Sequence, residues 1–164
     1  MLNRVLALVV VTSLLVASGS VWSYDADLAA SYALLFQPVT GAKAGKALHL
    51  MSPEAFVAKA TKGERLVTLD IRTPAEASIF TSALPESLAI PINELFTPDN
   101  LARVPTDTPV VVLCVSGTRA TAAGTALRHI GFHNVFILKG GFKALIGYLN
   151  PKTANPAPAA GTDK

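Results

Sequence analysis

The sequence predicts an α/β fold: a central, mainly parallel five-stranded sheet with helices on both faces. Three observations lead there. From about residue 47 to 149, short apolar runs alternate with stretches of helical pattern, the order that strand–helix–strand units produce. The runs VVVL (110–113) and VFIL (135–138) are apolar without a polar alternate, as strands buried on both faces are. Helix entries are marked twice by a hydroxyl residue followed by proline, at Ser52-Pro53 and Thr73-Pro74, where the hydroxyl caps the first turn and the fixed proline φ starts it.

The elements follow in order. Residues 1–23 read as a targeting segment: Arg4 gives a positive start, Val5 to Ala17 is apolar, and small residues at Ser18, Gly19, Ser20 and Ser23 offer a cleavage site. The apolar run has the length of a signal h-region and is short for a membrane span. The expected location is therefore periplasmic or otherwise exported; the alternative is an uncleaved anchor with the domain outside the cytoplasm. Residues 24–46 hold a short amphipathic helix, DADLAASYALLF, and a turn-rich connector. The domain proper spans 47–149. ALHL (47–50) is its first strand candidate, and SPEAFVAKATKG a helix ended by Gly63. RLVTLDI is a buried strand and TPAEAS a helical turn; LAIPI is the next strand, followed by short helical turns at NELF and PDNLARV. PVVVLC leads into the helix SGTRATAAGTALRHIG, whose Ala120, Ala123, Leu127 and Ile130 form an apolar stripe. NVFIL and GGFKALIGYL close the domain. Residues 150–164, rich in proline and alanine, read as a disordered tail.

Composition narrows the function. Net charge is +3, with 14 basic residues; they are scattered and form no stripe with interleaved aromatics, so nucleic acid is not an expected partner. One cysteine makes an internal disulfide impossible. His49, His129 and His133 show no ligand spacing, so no metal and no cofactor is expected. Cys114 is then an inert buried thiol, an intermolecular link or a reactive group.

Its position favours reactivity. Sheets of this type build their sites outside the carboxyl ends of the strands, and Cys114 ends the most strand-like run. The loop that follows, Val115, Ser116, Gly117, Thr118 and Arg119, leads straight into a helix. Gly117 lets the chain curl, and a curled loop turns successive N–H groups inward as an anion-binding nest. The helix N-terminus adds partial positive charge. Ser116 and Thr118 add hydroxyls, and Arg119 a planar cation. These donors favour a thiolate at the centre and would hold a negatively charged adduct on its sulfur. The spacing from Cys114 to Arg119 is one residue shorter than in tyrosine-phosphatase-like loops. The cradle is correspondingly tighter, better matched to one extra sulfur than to a phosphoryl or arsenate group.

Four motifs in order then make the chain resemble the single-domain rhodanese family, thiosulfate sulfurtransferase-like proteins, over about residues 47 to 149. They are LVTLDIRTPAE (66–76), LAIPINEL (88–95), VVLCVSGTRA (111–120) and GFHNVFILKGGFKAL (131–145). The resemblance implies a rhodanese-type sulfurtransferase in which Cys114 accepts a sulfane sulfur as a persulfide and passes it to a thiophilic acceptor. The donor it implies is a small sulfur-containing anion, thiosulfate, or a persulfide or polysulfide. It also implies that residues 115 to 119 cradle the persulfide, that Arg119 steers the donor, and that Asp70, Arg72 and Glu76 support the site. Asp70 would brace neighbouring loops, and Arg72 would pair with Glu76. A thiol redox partner protein is a further expectation, because an exposed reactive thiol outside the cytoplasm oxidises. A membrane is a partner only if the N-terminal segment is uncleaved.

The chain departs from the family's pattern in three places. SALPES (82–87) replaces a Gly-His-Ile-Pro-Gly-Ala rim, Ala77 stands where an aromatic residue is usual, and Val115 stands where thiosulfate-using members often carry a base. The last change turns the expected donor toward a persulfide or polysulfide. The alternative readings are a non-enzymatic sulfur carrier or partner-docking module of the same fold, and a phosphatase or arsenate-reductase-like enzyme.

Overall fold

A computed structural model describes residues 23–154 of the chain. The targeting segment read at residues 1–23 lies outside the described residues except for Ser23. Among the described residues no helix is long and apolar enough to cross a membrane.

Five parallel strands form one sheet, β1 (Leu50–Met51), β2 (Val67–Asp70), β3 (Ser87–Ala89), β4 (Val110–Leu113) and β5 (Val135–Leu138). Their spatial order is β1-β5-β4-β2-β3. β4 is central, with Val67 to Asp70 beside Val110 to Leu113 on one edge and Val110 to Val112 beside Val135 to Ile137 on the other. Every residue of β2 and β4 is buried, as the unbroken apolar runs predict.

Alternation along β4 separates two cores. Val110, Val112 and Cys114 belong to the face covered by α6 (Thr118–His129), with Ala120, Ala123 and Leu127. Val111 and Leu113 belong to the opposite face, with Phe56 of α3 (Pro53–Thr61) and Phe142 and Leu145 of α7 (Gly141–Tyr148). Helices therefore do lie on both faces. α6 approaches closely because residue 124 is glycine: a Cβ there would stand 2.6 Å from Ile137 Cγ1. The caps expected at Ser52 and Thr73 are formed, each side chain accepting from the backbone three residues on.

The structure corrects four element readings. The strand candidate ALHL is displaced: Ala44–Ala47 is α2, and His49 takes a left-handed φ of 56°. Only Leu50 and Met51 extend into the sheet. Ile130 leaves the apolar stripe of α6, because the helix ends at His129 and Ile130 is exposed; Gly124 and Arg128 are buried instead. The NELF segment is a turn without a helix, though its Leu95 is fully buried. The tail begins with a helical turn, α8 (Pro151–Ala154), where Asn150 Oδ1 accepts from Lys152 and Thr153 N–H. Residues 155–164 of the tail reading lie outside the described residues.

Two shorter helices complete the domain, α4 (Pro74–Ile79) and α5 (Pro98–Leu101). Ahead of the sheet, α1 (Ala26–Phe36) has no buried residue. It reaches α6 through Tyr32, stacked on the His129 ring at 3.9 Å, and Ser31 Oγ, 2.8 Å from His129 Nε2.

Candidate active site

The site is built where β4 ends. Cys114 is the first residue past the strand and its side chain falls on the α6 face, fully buried. The chain then turns through Val115 and Ser116 and enters α6 at Gly117, whose φ of 89° is left-handed. That turn brings Gly117 N–H onto Cys114 Sγ at 3.2 Å. No side chain caps α6, so the leading N–H groups of the helix are left to the loop and what it holds. Ser116 Oγ and Thr118 Oγ1 lie 3.3 Å apart on the rim.

The loop is pinned from outside by the start of α7. Phe142 N–H donates to Cys114 O at 2.8 Å, and Lys143 N–H to Val115 O at 2.9 Å. This contact requires glycine at 141, which has a φ of 58°. A Cβ there would overlap the Cys114 carbonyl oxygen and stand 2.7 Å from Gly117 N. The Gly140-Gly141 pair thus sets the shape of the cysteine loop, a role the sequence motif shows only as two adjacent glycines.

Arg119, in the first turn of α6, spans to α4. Its Nη1 and Nη2 donate to Glu76 Oε2 and Oε1 at 2.8 and 2.7 Å, a bidentate pair. Glu76 also accepts from Thr73 N–H at 2.9 Å, completing the capping box of α4. Arg119 and Thr73 hold the Glu76 carboxyl at about 2, well below its ordinary value, with the Arg119 hydrogen bond the largest cause. Arg119 is raised above its ordinary value, first by Glu76 and further by the sulfur of Cys114.

Behind this pair lies a second one. Arg72 and Asp70 are buried together, with Arg72 Nη2 on Asp70 Oδ2 at 2.7 Å and Arg72 Nε on both carboxylate oxygens at 3.0 Å. Arg72 also donates to the carbonyls of Glu76 and Phe80. Its guanidinium carbon sits 4.5 Å from the Phe80 ring centre and 4.1 Å from that of Phe142. The expected Arg72–Glu76 ion pair is thus corrected: Arg72 takes Asp70, two residues away on the same strand end, and the Glu76 carboxylate takes Arg119. Asp70 braces the α4 segment through Arg72, joining β2 to the carbonyls of residues 76 and 80. Ala77 supplies no ring, and the aromatic faces on Arg72 come from Phe80 and Phe142. Nothing in the sequence motif points to Phe80.

The surroundings differ on the two sides of the loop. Toward α6 and α1, a cavity of about 630 Å³ is lined by Ser116, Gly117, Thr118, Thr121, Tyr32 and Lys139, among others. On the other face, an apolar groove runs between α3 and α7 past Phe80 and Leu84. Val115 is 39% exposed, an apolar side chain on the rim. Among the described residues, no group of three or more His, Cys, Asp or Glu could hold a metal ion.

Residues 52–147 match the rhodanese-like domain family. The chain belongs to that family. The chain is 36% identical over 81 residues to a sulfurtransferase of Allochromatium vinosum, a match covering 49% of this chain and 72% of that protein. Among solved structures it is similar to a rhodanese-related protein of Thermoplasma volcanium, at 25% identity and TM-score 0.54, covering 63% of this chain and 95% of that one. The human single-domain sulfurtransferase shares the fold, at 21% identity and TM-score 0.53, with 62% and 98% covered.

Proposed function

We propose that the chain is a rhodanese-type sulfurtransferase that carries a sulfane sulfur as a persulfide on Cys114. Membership of the rhodanese-like family and the likeness to the Allochromatium vinosum sulfurtransferase support sulfur transfer in general. The observation that carries the mechanism is the Gly117 N–H on Cys114 Sγ at the mouth of an uncapped helix. A thiolate in that place is held by the same donors that hold the product.

The step is a displacement at sulfur. The Cys114 thiolate attacks the outer sulfur of thiosulfate, a new S–S bond forms, and the old S–S bond breaks with its electron pair leaving on sulfite. With a persulfide donor the leaving group is the donor's own thiolate. The Cys114 persulfide then gives its outer sulfur to a thiophile, cyanide or a thiol, and the Cys114 thiolate is restored. Residues 115 to 119 cradle the added sulfur. The exposed Val115 favours a persulfide or polysulfide donor, including a cysteine persulfide on a partner protein, over a small dianion. An exported location, with a thiol partner keeping Cys114 reduced, is part of the same reading.

Intact mass tests it. The purified chain is mixed with thiosulfate and, separately, with a persulfide. A gain of ~32 Da that disappears in Cys114→Ser is the expected result. No gain with any sulfane donor overturns the reading and returns the oxyanion chemistry of a phosphatase-like loop to the front. A stable persulfide with no turnover to cyanide or thiol would make the chain a sulfur carrier.

A further inference from the structure

We propose that the cavity beside the cysteine loop is the acceptor site, and that it takes an elongated, peptide-like thiol whose carboxylate is held by Lys139. The inference rests on the sulfurtransferase reading above and names the substrate class of its second half-reaction.

Gly117 joins the cavity to the sulfur. Its N–H lies 3.2 Å from Cys114 Sγ, and the same residue lines the cavity with Ser116 and Thr118. Cys114 itself is fully buried and does not line it. A molecule seated there reaches the persulfide only over the loop rim, so its body and its thiol must lie some distance apart. Cyanide or a two-carbon thiol is too short to do both. Val115, the rim residue on which the donor preference rests, does not line the cavity, so donor and acceptor meet different sides of the loop.

The lining sets the chemistry. A volume of about 630 Å³ has room for a molecule of small-peptide size. Thr121 gives its hydroxyl proton to Gly117 O at 3.0 Å, which leaves the oxygen's lone pairs for an amide N–H. Thr125 and Tyr32 add hydroxyls, and Leu50, Ala122 and Ala126 add apolar surface. Among the described residues that line the cavity, Lys139 is the one cation and there is no carboxylate. Lys139 is exposed and makes no ion pair among the described residues. Of the influences on the exposed Glu54 carboxylate, Lys139 is the smallest. Outside the lining, Arg119 has its fork filled by Glu76, and Lys143 stands exposed in α7. The cavity thus offers a ligand one unpaired ammonium, which one carboxylate matches.

The acceptor thiol loses its proton to water, and its thiolate attacks the outer sulfur of the Cys114 persulfide. A new S–S bond forms on the acceptor. The S–S bond to Cys114 breaks, and its electron pair returns to Cys114 as the thiolate.

The test uses the full chain, loaded with sulfur from thiosulfate or a persulfide and then freed of donor. Loss of ~32 Da from Cys114 by intact mass gives the rate of transfer to each acceptor. The acceptors are N-acetylcysteinylglycine, its C-terminal amide and 2-mercaptoethanol. The first two differ only in a carboxylate remote from the thiol. In Lys139→Gln the ratio of acid rate to amide rate should fall about fivefold, as loss of one exposed charge pair gives. Lys139→Arg should keep the wild-type ratio, and added salt should lower that ratio only where the cation is present. Ala122→Leu fills the cavity wall with a good helix former. It should lower both peptide rates at least fivefold relative to 2-mercaptoethanol. An acid-to-amide ratio that is the same in wild type and Lys139→Gln overturns the inference. So do peptide rates that hold their ratio to 2-mercaptoethanol in Ala122→Leu, which decides alone if Lys139→Gln fails to fold. No mass gain with any donor in the wild-type chain is a distinct outcome: it defeats the sulfurtransferase reading and this inference with it.

Discussion

At the scale of single residues, the site depends on guanidinium groups whose forks are filled. Arg72 is buried against Asp70 with two aromatic faces on it, Phe80 and Phe142, whose rings meet edge to face at 5.1 Å. A buried ion pair gains little over an apolar replacement of the same shape, but removing part of it strands the other charge. Lysine at 72 keeps the charge and loses the planar fork that serves Asp70 and two carbonyls at once. Arg72→Lys should therefore cost about 3 kcal/mol of stability, read as a lower urea midpoint at unchanged slope. A loss below about 1 kcal/mol would mean that the ammonium recovers those bonds through water. Asp70 and Arg72 were visible in the sequence as a strand-end pair, but which carboxylate meets which guanidinium was not. The partner of Arg119 lies 43 positions away on another helix, and only the packing of α4 against α6 decides it.

At the scale of elements, the cysteine loop and α7 form one unit. α7 begins with Gly141 packed against the loop, and the next two N–H groups hold the carbonyls of Cys114 and Val115. Gly141→Ala places a methyl group into that contact and a non-glycine residue at a left-handed φ. Persulfide formation should slow by about tenfold or more, since small displacements of a reacting group are costly. Gly147→Ala is the matched control: it sits in the same helix with nothing within 4 Å of the added methyl group, and should be neutral or stabilising by up to about 1 kcal/mol. Equal effects of the two changes would show that the loop tolerates the shift. The helices and strands themselves were legible because their signals are local. Ser52-Pro53 and Thr73-Pro74 mark real caps, and VVVL and VFIL are real buried strands. Where the reading slipped, a single residue had overridden the pattern: His49 at a left-handed φ shortens β1, and Ile130, one residue past the last turn of α6, escapes the apolar stripe.

At the scale of the whole molecule, the sheet and both cores are complete without α1. The strands begin at Leu50 and the family match begins at residue 52. The order β1-β5-β4-β2-β3 places Cys114 at the end of the central strand, where helices cover both faces. Its place at the carboxyl end of a buried strand was legible in the sequence, whereas the order of the strands and the part played by residues 24–46 were not, since alternation does not order strands and an amphipathic pattern does not name the surface it covers. In the structure α1 lies on α6 chiefly through one stacked pair, Tyr32 on His129, and one hydrogen bond from the neighbouring Ser31. An aromatic stack and a hydrogen bond of this kind contribute about 1–2 kcal/mol together. Removing residues 1–37 should then lower stability by about that amount and leave unfolding cooperative. The measurement is a urea titration of the shortened chain beside the full one, followed by the intact-mass assay on both. Persulfide formation should survive, because none of Cys114, Gly117, Glu76, Arg119 or Gly141 takes a hydrogen bond from α1 in the structure. Loss of cooperative unfolding would show that α1 is part of the folding unit. Retained folding with loss of persulfide formation would show that Tyr32, on the wall of the cavity beside Ser116 and Thr118, takes part in binding the donor.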